Sequence, residues 1–75
     1  MMNKPVKKPR RLDVELSQEI IRSLGGTVEV AGICGRVPSS VSDWKQKGIP
    51  RSFVMFLRER YKRLPVMRAD EIRNF

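Results

Sequence analysis

Apolar residues recur along this chain at helical spacing, and the places where the spacing breaks divide it into short helices. From Asp13 to Leu24 the apolar positions are Leu16, Ile20, Ile21 and Leu24, with Glu15, Gln18, Glu19 and Arg22 on the other side. Gly25-Gly26 marks the end of that helix. Thr27 to Cys34 is undecided by propensity alone. Val28 and Val30 are β-branched, their alternation with Glu29 resembles a strand, and Gly32 costs a helix about 1 kcal/mol relative to alanine. Placement favours helix: Thr27 follows the glycines as an N-cap, Glu29 sits in the first turn where the dipole favours a carboxylate, and Gly35 follows as a stop.

Pro38 suits the first turn of a third helix, where its missing N–H has no partner to lose, and that helix is expected to reach about Lys47. Gly48-Ile49-Pro50 breaks it. A fourth helix is expected from Pro50 to Leu64, with Phe53, Val54, Leu57, Tyr61 and Leu64 in one apolar stripe, until Pro65 stops it. Val66 to Phe75 is too short and too mixed to assign to helix, strand or disorder. Residues 1–11 carry Lys4, Lys7, Lys8, Arg10 and Arg11 with no anion and two prolines, and are expected to form a disordered basic arm. The expected organisation is an all-α domain over residues 12–65, an arm over 1–11, and a tail over 66–75.

Composition narrows the function. A chain of 75 residues supports one domain, whose core buries only about 60% of the surface of the unfolded chain. Histidine is absent and Cys34 is the single cysteine, which excludes internal disulfides, Cys/His zinc sites and imidazole-assisted nucleophiles. No cofactor, metal or enzymatic activity is expected. Cys34 is expected to be a small buried hydrophobe. An unpaired cysteine fits a reducing cytoplasm, and no apolar run approaches the ~18 residues of a membrane span or forms a signal peptide. Sixteen Lys and Arg against eight Asp and Glu give a net charge of +8, so the expected partner is a polyanion.

The segment from Thr27 to Lys47 offers a way to bind one. Ala31 stands four residues before Gly35, where a small side chain lets two helices approach closely, and Val41 and Trp44 are spaced to bury one face of the following helix. Ser39, Ser42, Asp43 and Gln46 then face outward and can enter a major groove, where Gln can bond adenine and Asp can accept from cytosine. Ser40 on the flank, Lys45, Lys47, Arg51 and Arg36, with the backbone at Thr27, suit phosphates. Asp43 could read a cytosine, orient Lys47, or act against wrong sequences. The arm cations suit phosphate or minor-groove tracking. With 7% aromatic residues the chain lacks a stacking platform for single strands.

Leu24-Gly25-Gly26-Thr27, Ala31, Gly35, Pro38, Val41-Ser42-Asp43-Trp44-Lys45 and Gly48-Ile49-Pro50 together resemble the small Cro-like phage repressors and the related YdaS-type antitoxins. The resemblance implies a four- or five-helix lambda-repressor-like domain with a helix-turn-helix, binding palindromic double-stranded operator DNA as a homodimer and repressing transcription in the bacterial cytoplasm. The chain departs from the family in the order of Arg36 and Val37, since an apolar residue usually follows the turn glycine and a polar one precedes the proline. Either Val37 takes over the core position or the turn is looser. Met55, Phe56, Val66, Met67, Ile72 and Phe75 are candidates for a dimer or partner surface, or for a toxin if the chain is chiefly an antitoxin. The alternative is that the tail folds back over its own core.

Overall fold

Glycine and proline mark most of the helix boundaries, and one helix start carries a side-chain cap. The computed structural model describes residues 11–75. Helix α1 (Val14–Ser23) is capped by Asp13, whose carboxylate accepts the Leu16 N–H at 3.1 Å, and it ends as the chain turns through Gly25 and Gly26. Helix α2 (Thr27–Cys34) settles the ambiguous segment as helical. Its N-cap is Gly26 and no side chain caps it, so Thr27 is the first helical residue rather than the cap. At the other end Gly35 takes a left-handed conformation (φ 67°, ψ 33°). The Gly35 and Arg36 N–H groups there reach back to the Gly32 and Ala31 carbonyls at 3.4 and 2.9 Å.

Helix α3 (Pro38–Lys47) begins with the proline, as expected, behind an extended Val37. Val37 is 59% exposed, so it does not take the core position that the altered order of Arg36 and Val37 offered it. Helix α4 (Arg51–Arg60) stops short of Leu64. Pro65 holds Leu64 in an extended conformation, and the turn from Tyr61 to Leu64 redirects the chain back over the helices already formed.

The tail is ordered: a 3-10 turn (Pro65–Arg68) and a short helix α5 (Asp70–Arg73). It folds back over the core of its own chain. Met67 and Ile72 are 3% and 0% exposed, which removes both from any dimer or partner surface. Val66 and Phe75 pack half-buried against the same core, Met55 is half-buried, and Phe56 remains exposed.

The core joins all these elements, with Ile20, Val30, Val41, Ile49, Val54, Leu57 and Ile72 fully inaccessible. Helices α1 and α2 both pack on α3, and the 3-10 turn packs on α1. The described residues are mostly helical and contain no strand, only an isolated antiparallel bridge between Arg11 and Pro50. Arg11, assigned to the arm from sequence, is therefore tied to the domain, and its Nη1 also donates to the Gly48 carbonyl at 2.9 Å. The other arm candidates, Lys4, Lys7, Lys8 and Arg10, lie outside the described residues. Among the described residues no helix is long and apolar enough to cross a membrane.

Candidate nucleic-acid interface

Helix α3 is held from below and at its exit. Val41 and Trp44 are 0% and 4% exposed, and the indole packs against the Phe53 ring with centroids 4.7 Å apart. The helix leaves its last carbonyls without intrahelical partners. The Gly48 N–H takes that of Trp44 at 2.7 Å, and Gln18 Nε2 reaches across from α1 to that of Lys45 at 2.7 Å. Ser17, fully buried on α1, accepts the Ile49 N–H through its hydroxyl at 2.9 Å and faces the Leu12 carbonyl. The exit of α3 is thus bonded both to α1 and to the first described residues of the chain.

This anchoring decides what the opposite side presents. Ser39, Ser42 and Gln46 are exposed, as are Lys45, Lys47 and Arg51, while Ser40 is half-buried. Asp43 is half-buried and its carboxylate lies 3.3 Å from Lys47 Nζ, one turn on. Of the roles open to Asp43, orienting Lys47 is the one with a contact behind it; an exposed pair of this kind contributes about 0.3–0.5 kcal/mol.

Two recesses flank α3. At its start, Arg11, Arg36, Ser39, Ser40 and Asp43 surround a hollow floored by Trp44 and Phe53, and the Arg36 guanidinium lies 5.7 Å from the Phe53 centroid. Stacking on the ring restrains that cation beside the first turn of α3. At the other end Gln18, Arg22, Thr27 and Lys45 border a hollow onto which the uncapped start of α2 opens. The free N–H groups and positive dipole end of a helix favour an anion there.

The arrangement brings Arg36, Ser39, Ser40 and Asp43 to one side of the face and Thr27 and Lys45 to the other. Four contributors to this site escaped the sequence analysis: buried Ser17, which supports it from within, and Gln18, Arg22 and Phe53, which line its recesses. A signal for Ser17 existed, because Ser17, Ile20, Ile21 and Leu24 follow the helical spacing more faithfully than the set that includes Leu16. A small hydroxyl on that stripe points to a close backbone approach. Gln18 and Arg22 had no such mark, since both lie on the polar side.

Cys34 is half-buried, and desolvation pushes its thiol above the usual range, which favours the protonated form. Among the described residues no group of His, Cys, Asp and Glu is placed to hold a metal ion. Comparison with protein families, with characterised proteins and with solved structures finds no match for this chain.

Proposed function

We propose that this chain is a sequence-specific regulator that binds duplex DNA, with α2 and α3 acting as a helix-turn-helix and α3 lying in the major groove. The observation that carries the proposal is the division of α3 into two sides. Its indole and valine are sealed in the core, while Ser39, Ser42 and Gln46 are free to meet base edges. Phosphates on either side would meet Arg36, Lys45, Lys47 and Arg51, and one would sit on the uncapped N–H groups at Thr27 between Arg22 and Lys45. The net charge of +8 supplies the long-range attraction. The resemblance to Cro-like repressors adds a role in repression, a palindromic site and a homodimer. The protein acts by binding, not by catalysis.

Selection from random duplex DNA at about 150 mM salt tests this, because sequence-independent binding is weakened there and base readout persists. The expected result is a palindromic motif. Gln46→Ala should flatten preference at one position of each half-site, whereas Lys45→Ala with Lys47→Ala should weaken all DNA by a similar factor. Equal losses on selected and random DNA for the Gln46 change would remove α3 from the groove.

The exposed ring of Phe56, 42% accessible on α4, favours a second reading in which a protein partner such as a toxin docks there. With Met67 and Ile72 in the core, that surface reduces to Phe56, half-buried Met55 and their neighbours. A partner that co-purifies at high salt and is lost with Phe56→Asp would establish it.

A further inference from the structure

Away from the residues of the α3 face, the chain carries a second concentration of positive charge. The last turn of α4 and the turn after it, with the 3-10 turn and α5, enclose a solvent-open cleft of about 340 Å³ bordered by Arg58, Lys62, Arg68 and Arg73, with Glu59 as its one carboxylate. None of these residues belongs to the α3 face or to the recesses beside it.

Three features separate this cleft from an ordinary solvated helix face. Arg58 is fixed, since its Nη1 donates to the Ile72 and Arg73 carbonyls at 3.0 and 3.2 Å, which holds the guanidinium between α4 and α5. Arg68 has no carboxylate partner among the described residues. The pairs Lys62–Glu59 (3.6 Å) and Arg73–Asp70 (3.9 Å) are solvent-exposed neighbours along single helical turns, weak enough for a stronger anion to replace. Four cations around one hollow repel each other, and an anion bound among them removes that repulsion.

We propose that this cleft is a second, sequence-independent binding site for the phosphate backbone of duplex DNA, an inference that rests on the DNA-binding function proposed above. Three guanidinium groups match the bidentate geometry of phosphate oxygens. An acidic protein partner would need an apolar or aromatic anchor beside the charges, and the only apolar side chain in the lining, Met67, is buried. Guanidinium groups contacting only the backbone carry no base readout, so the cleft adds affinity without specificity.

The test is a titration of the full-length, ¹⁵N-labelled chain with a random-sequence duplex and with the selected duplex, alongside the variant Lys62→Ala/Arg68→Ala. Both positions are exposed, so the fold is retained. Amide signals of Arg58, Lys62, Arg68 and Arg73 should move with either duplex. The double variant should lower the slope of log K against log salt by about 2, at ~0.9 per phosphate contact, and leave the preference for the selected duplex unchanged. An unmoved cleft and an unchanged slope would overturn the inference, as would a cleft that responds to a poly-glutamate peptide but not to DNA. Signals from Ser39, Ser42 and Gln46 report on α3 separately. Movement there without movement in the cleft sinks only this inference, and the reverse sinks only the α3 assignment while leaving the cleft as a DNA site.

Discussion

Gly35 and Gly48 close the two ends of the segment that holds α3, and they are glycine for different reasons. Both have positive φ, 67° and 99°. Around Gly35 an added Cβ would meet nothing, so the constraint is local: a left-handed residue costs a non-glycine about 1–2 kcal/mol, less for asparagine. Gly48, with ψ 150°, lies in a region that glycine alone visits, and the Leu12 carbonyl fills the place a Cβ would take. The turn before α3 follows rules of the chain segment itself. The turn after it is a joint, shaped by the close passage of residues distant in sequence.

The strongest way to break this contrast is Gly48→Ala. Backbone strain and the clash with Leu12 should together cost about 3 kcal/mol or more, a large part of the roughly 4 to 11 kcal/mol expected for a domain of this length. Urea unfolding should show a greatly lowered midpoint, and Gly48→Asn should do no better. A midpoint within experimental error of the parent would refute the joint.

Ser17→Ala should come next. It leaves the buried Ile49 N–H without an acceptor, at about 1–3 kcal/mol, and should speed amide exchange at Ile49 more than at any residue of α2. If Ile49 remains as protected as before, the hydroxyl is not what holds that strand-like passage.

Gly35→Ala should cost about 1–2 kcal/mol and Gly35→Asn visibly less, because only a local conformation is at stake. Identical losses for the two would mean that the turn is constrained by packing after all. The smallest effect should be a gain. Gly32 is an exposed helical residue with open space around its Cβ position, so Gly32→Ala should raise stability by about 0.5–1 kcal/mol, read as a higher Tm.

Much of the helical layout was legible before any coordinates. The bounds of α2 and α3, the sealed indole and the outward serines and glutamine follow from glycine and proline punctuation and from period, which are local properties. The end of α4 was misjudged because its stripe continues past Tyr61 in the sequence. What stops it is the extended residue before Pro65, together with the gain from returning Met67 and Ile72 to the core. Thr27 was misplaced by one residue because a glycine can occupy the cap without offering a side chain.

The sequence by itself determined an all-α chain, where its helices break, which side of α3 is apolar, and a strongly basic surface. Those properties depend on neighbours within one or two helical turns. Only the tertiary structure decided that Ser17 and Gln18 clamp the exit of α3, that Arg11 belongs to the domain, that the tail covers its own core, and that four cations spread from α4 to α5 meet in one cleft. Each of these depends on groups that are far apart in sequence. A periodic pattern specifies which face a helix buries, but not what that face is buried against.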